Sequence, residues 1–193
     1  MAALPDPTDT LKGTERAMFD HMASARANAD GRARLAEVYV CMFNNPGVAT
    51  SVGALGEHLR FHGALPDAVR ELVILRYSAR QGYGYEWSHH QRPAKLAGIS
   101  QEVIDALAAG QVPNTLPDPL QAALEAVDSV VAKRSIPAEV QQRFIAVYGN
   151  AGIVELVALC GLYAIMGYMV TAFDVEVEEG FPKLPVGDGP ARL

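Results

Sequence analysis

The chemistry available to this chain is concentrated between Glu71 and Ser100, where the sequence reads ELVILRYSARQGYGYEWSHHQRPAKLAGIS. Glu71 opens the run Leu72-Val73-Ile74-Leu75, and a solvated surface helix does not place apolar residues at four successive positions. Tyr83, Glu86 and His90 follow. Glu86 and His90 are four residues apart, so at 3.6 residues per turn they share one helix face. A buried carboxyl, a second carboxyl and an imidazole in one segment are the ingredients of proton-transfer chemistry. In that scheme His90 is the general base, Glu71 orients it or relays a proton, and Glu86 tunes the imidazole. Burial raises a carboxyl pKa and suits Glu71 to the task. Read alone, each group has an ordinary alternative. Glu71 pairs with Arg70, Arg76 or Arg80, Glu86 makes a surface helix pair, and His90 is a core histidine. His89 points roughly 100° away from His90 on an ideal helix and faces elsewhere.

The elements that must hold these groups are helices. Residues 8–28 carry Leu11, Ala17-Met18 and Met22 on one face and form an amphipathic first helix. Residues 33–43 form a short second one, ended by Asn44-Asn45-Pro46. Pro46 opens a third that runs to about His62, before Gly63. Leu65-Pro66-Asp67 starts the glutamate helix, and Gly82-Tyr83-Gly84 breaks it near Gln81. A fifth helix carries Glu86 to Ala97, with Gly98 at a left-handed C′ position and Ser100 capping the next helix. Pro93 removes the hydrogen bond that the His89 carbonyl would accept, which puts a kink at the histidine pair or starts a new helix there. Asp118-Pro119 opens a helix to about Lys133, and Pro137 opens another that closes near Gly149. No segment alternates with period two for long. The fold class is all-α.

Composition fits a globular chain. It has 193 residues, half of them hydrophobic and 20% charged, which excludes disorder for most of its length. A net charge of −6 and a pI near 5.3 argue against a nucleic-acid partner. Cys41 and Cys160 sit far apart in apolar surroundings and read as reduced, buried thiols of a cytoplasmic protein. The N-terminal stretch MAALPDPTDT lacks the basic and apolar regions of a signal peptide. Residues 151–173 are long and apolar enough to span a bilayer. Glu155 interrupts them, however, and acids rather than Lys or Arg follow. The expectation is a fully buried central helix at a subunit interface, with no membrane partner. Glu-Leu-Val followed by apolar residues and a Tyr occurs in both 66–79 and 151–164, so Glu155 is a structural counterpart of Glu71 or a separate solution to the same packing problem.

The spacing in the Glu71–His90 segment resembles the carboxymuconolactone decarboxylase and alkylhydroperoxidase D-like superfamily. Its redox branch carries Glu and then Cys-x-x-Cys-x-x-x-His on the next helix. Counted from Glu71, the two cysteines would fall at Tyr83 and Glu86 and the histidine falls on His90; Leu65-Pro66 and the Ala-Gly-Ile-Ser of 97–100 also resemble the family. The resemblance implies a multi-helix bundle assembled as a homo-oligomer. Its organisation would be an N-terminal helix in 1–30, the family domain in 31–178 and a tail in 179–193. It further implies a cofactor-independent lyase or decarboxylase acting on a small, ring-derived, carboxylated lactone or related acid. His90, Glu71 and Glu86 would be catalytic. Tyr83, Trp87 and an arginine such as Arg76 or Arg80 would contact the substrate, while the ordinary alternative for Trp87, as for Tyr85, is packing. Without the two thiols, hydroperoxide reduction is the disfavoured alternative. A ligand-binding oligomer without catalysis is the third class. His58 and His62, four apart, have the spacing of two helical metal ligands that Glu86 or His90 would complete, yet the expectation is no metal.

Overall fold

A computed structural model describes residues 4–30 and 35–185, without the side chains of 27–30. Residues 33 and 34, where the sequence reading begins the second helix, and 186–193 of the tail lie outside the described residues. Eight helices and no strand are found among the described residues: α1 Gly13–Asp30, α2 Glu37–Met42, α3 Pro46–Phe61, α4 Asp67–Gln81, α5 Gly84–Leu96, α6 Gln101–Ala108, α7 Asp118–Val131 and α8 Ala138–Ala172.

Local chemistry accounts for most boundaries. Asn45 accepts the Val48 N–H and Pro46 takes the first turn of α3. Gly82 ends α4 in the left-handed region at φ 73°, which only glycine adopts without strain and which folds α5 back along α4. Ser100 caps α6 through the Val103 N–H. The first helix starts later than residue 8. Thr8 is held by Asp6, and the Thr10 N–H and hydroxyl both donate to the Pro7 carbonyl, so residues 7–10 are a turn. Likewise α2 begins at Glu37, and α5 continues through Pro93 rather than restarting there.

Helix α4 is the hub: it packs on α5, α6, α7 and α8 and is buried from Val69 to Ser78. One core cluster joins Val73 and Ile74 to Phe144 and Leu156; a second joins α1 and α2 to Tyr85 and Met166; a third surrounds Trp87 with Leu72, Leu75 and Ile104. The two helices expected at 137–149 and 151–173 run on as α8, interrupted only at Gly149, whose φ of 69° and ψ of 177° are not helical. The expectation that this helix is buried on all sides does not hold within one chain. Val154 and Tyr168 are each about two-thirds exposed, and the helical register places Val157 and Ile165 on the same side of α8 as an apolar stripe. By length and composition α8 remains the one described helix apolar enough to cross a membrane.

Candidate functional site

Folding α5 back on α4 brings His90 to Glu71. The imidazole Nδ1 lies 2.7 Å from Glu71 Oε2. Glu71 is 1% exposed and His90 slightly more open. The other carboxylate oxygen of Glu71 accepts from Nε and Nη2 of Arg70, each at 3.3 Å, and Arg70 Nη1 is fixed by Asp67 and the Arg60 carbonyl. Burial alone would raise the Glu71 carboxyl. The charge and hydrogen bond of His90, with Arg70 and Arg60 behind them, outweigh it and hold the group below the usual carboxylate value. Glu71 is therefore an ionised acceptor that fixes the orientation of the ring.

The series does not end at His90. Tyr163 of α8 places its hydroxyl 2.8 Å from His90 Nε2, with the two rings edge to face at 5.1 Å. Burial, with the Glu71 charge and Tyr39 nearby, pushes the phenol well above its ordinary value, so it keeps its proton. Glu71, His90 and Tyr163 thus form one hydrogen-bonded line across three helices. In the sequence Tyr163 is marked only as the tyrosine that follows the Glu-Leu-Val of Glu155. The residue lies 73 positions from His90, and no local spacing connects them.

Glu86 needs a correction. It makes no hydrogen bond to the imidazole: neither carboxyl oxygen has a hydrogen-bond partner, although the side chain is 2% exposed. Burial pushes its pKa up to about 7. Sharing a helix face with His90 makes a contact possible without requiring one.

Glu71, Glu86, His90 and Tyr163 border one cavity of about 90 Å³, together with Tyr39 and Arg26. A larger cleft of about 530 Å³, flanked by Phe61, Arg92 and Phe181, shares Arg60, Arg70, Glu71 and Pro93 with it and forms an outer vestibule. The three expected substrate contacts lie elsewhere. Arg76 is bound by Asp128 at 2.7 and 2.9 Å and by the Gly110 and Gln111 carbonyls, and Arg80 reaches the same aspartate. Trp87 is core, 1% exposed. Tyr83 packs against Gly167, where an added Cβ would lie 2.3 Å from the ring, and its phenol is pushed up to about 12 by burial and neighbouring tyrosines. None of the three borders the cavity or the cleft. His89 also borders the cavity but makes no bond to Glu71 or His90. Its Nδ1–H donates to the Tyr85 carbonyl at 2.8 Å, the ring stacks between Tyr85 and Phe181, and Nε2 lies 3.0 Å from Glu178. His58 and His62 are exposed at the end of α3, and no group of three His, Cys, Asp or Glu at metal-binding distance occurs among the described residues.

No curated protein matches the chain in sequence. Among solved structures, the debrominase Bmp8 is similar both free and in complex with 2,3,4-tribromopyrrole. It gives a TM-score of 0.71 at 16% identity, covering 88% of this chain and 90% of the other. A protein of unknown function from Agrobacterium tumefaciens, provisionally assigned to AhpD of antioxidant defence, gives 0.63 at 19% identity over 71% and 94%. These likenesses show the fold. The model of the carboxymuconolactone decarboxylase family matches residues 46–129, the segment that holds Glu71, Glu86 and His90. Over those residues, fewer than half of the chain, the sequence is similar to the carboxymuconolactone decarboxylase family.

Proposed function

We propose that the protein is a cofactor-independent lyase of the decarboxylase kind, acting by proton transfer on a small, ring-derived carboxylated lactone or related acid. The observation that carries this reading is the hydrogen-bonded line Glu71–His90–Tyr163 on a cavity that also holds an unpartnered Glu86. In the reaction, the bond to the departing carboxylate breaks and carbon dioxide leaves. The electron pair remains as an enolate on the adjoining carbonyl system. With the imidazole charged, His90 Nε2–H donates to the phenol oxygen, and the Tyr163 hydroxyl is free to donate to the enolate. With the imidazole neutral, the phenol donates to Nε2 and the line accepts a proton instead. Glu86 in its neutral form delivers a proton to carbon, and solvent restores it.

Hydroperoxide reduction has less support. It needs a thiolate and a resolving thiol, and neither Cys41 nor Cys160 borders the cavity or the cleft. The same proposal includes a cytoplasmic homo-oligomer in which a second copy covers the α8 stripe. The test is a screen of small lactone acids and β-keto acids for carbon dioxide release, with His90→Asn as the comparison. Release by the wild type that His90→Asn abolishes is the expected result. A compound that binds and is never turned over would overturn the lyase reading in favour of a binding protein.

A further inference from the structure

Arg26 of α1 enters the cavity from outside the family segment. Its side chain is more than nine-tenths buried, its guanidinium lies 4.6 Å above the Tyr39 ring, and Nη2 donates to the Gly53 carbonyl at 3.0 Å. Nη1 is also buried but has no acceptor. Buried charged donors are ordinarily paired, because leaving one unmet forfeits its hydration without return. Glu86, on the same cavity, carries two more unmet atoms, and the two side chains do not answer each other. Ile74, Leu162 and Met166 add apolar wall to the same cavity.

We propose that Arg26 anchors an anionic oxygen of the ligand in this cavity, which makes the ligand a small carboxylic acid with a hydroxyl or carbonyl group turned towards Glu86. The inference rests on the cavity being the substrate site of the proposed lyase and narrows its substrate class. A carboxylate that leaves as carbon dioxide loses its charge, and an ion pair to it would stabilise the ground state more than the transition state. The group held by Arg26 is therefore one that the product keeps.

The experiment measures equilibrium binding of 2-furoate and of its neutral counterpart 2-furamide by titration calorimetry. The wild type is expected to prefer furoate by about tenfold or more, the range a charge-assisted hydrogen bond supplies. Arg26→Gln should bring the ratio near one, and Arg26→Lys should keep most of it. Arg92→Gln, in the outer cleft, should leave it unchanged. Because each variant is judged by its own ratio, partial unfolding does not imitate the result. A preference that survives Arg26→Gln, one that disappears with Arg92→Gln, or no binding of either compound by the wild type would overturn the inference. Binding is read without turnover. An intact ratio with no decarboxylase activity would leave the anchor standing and remove the lyase reading; activity with an unchanged Arg26→Gln ratio would do the reverse.

Discussion

Two Glu-Leu-Val turns in this chain lead to different fates for their carboxylates. Glu155 of α8 turns to backbone: both its oxygens lie 2.8 Å from the Ala64 N–H, and Oε2 also accepts from Leu65 at 3.1 Å. It pins the bend between α3 and α4, and an added Cβ on Gly63 would lie 2.8 Å from its oxygen. Glu71 of α4 turns to side chains, an imidazole and a guanidinium. Amide N–H groups do not exchange protons usefully at neutral pH, whereas an imidazole joined to a phenol does. The partners, not the local sequence, decide which acid is structural and which belongs to a proton path.

The largest effect expected from this contrast is kinetic. Once a substrate is found, His90→Asn, Glu71→Gln and Tyr163→Phe should each lower turnover by ~10²–10⁴-fold, the usual worth of positioned acid–base groups. Glu155→Gln should stay within a few-fold of wild type. Steady-state rates of the four variants decide the matter, and an equal loss in Glu155→Gln would erase the distinction.

Glu86 sharpens the contrast, since it is a buried acid with neither kind of partner. Its folded pKa of about 7 lies above the ordinary carboxyl value of 4.5. A raised pKa contributes stability that is fully present below the ordinary value and is lost as pH rises through about 7. Glu71, with its pKa lowered, has the opposite sign: its contribution is present above the ordinary value and disappears as pH falls below it. Urea unfolding from pH 4.5 to 8 should therefore show wild type losing stability relative to Glu86→Gln across about pH 5–7. Parallel curves for the two proteins would contradict the burial argument.

Glu155 should reveal itself in stability instead. Replacing it with Gln removes the charge from two backbone contacts, and hydrogen bonds to charged groups are worth ~1.5–3 kcal/mol each before the amide restores part of that. A loss of roughly 1–2 kcal/mol is expected, read as a shift of the urea midpoint at unchanged slope. No shift would mean that solvent at this partly exposed position already does the work of the carboxylate.

How far the sequence disclosed this site follows from the range of each interaction. Glu71 and His90 were legible because one glycine turn connects their helices, so spacing along the chain becomes proximity in space. Tyr163 and Arg26 were not, since they arrive on α8 and α1 and no short-range pattern marks them. Arg76 was misassigned for a related reason. Its partner Asp128 stands 52 residues on, and a committed arginine reads like a free one until that contact is seen. For Glu86 the four-residue spacing fixed a shared face but not a bond. In α8 the apolar run and the break at Gly149 were plain, while the exposed stripe depends on packing that only the fold supplies.

The smallest effect should fall on the cysteines, one of which sits on α8 between Glu155 and Tyr163. Cys160 belongs to the core around Phe144 and Cys41 to the core around Phe43, so no resolving partner faces either thiol. Burial pushes Cys160 up to about 12 and also raises Cys41, where Glu37 adds to the shift. Neither is a thiolate at neutral pH, and the thiolate is the nucleophile in peroxide reduction. Cys41→Ala and Cys160→Ala should then leave lyase turnover unchanged, and the wild type should not reduce an organic hydroperoxide with a dithiol as electron donor. Consumption of hydroperoxide that either substitution abolished would show that thiol chemistry operates in this chain. The proton path from Glu71 to Tyr163 would then cease to be the sole basis for its reactivity.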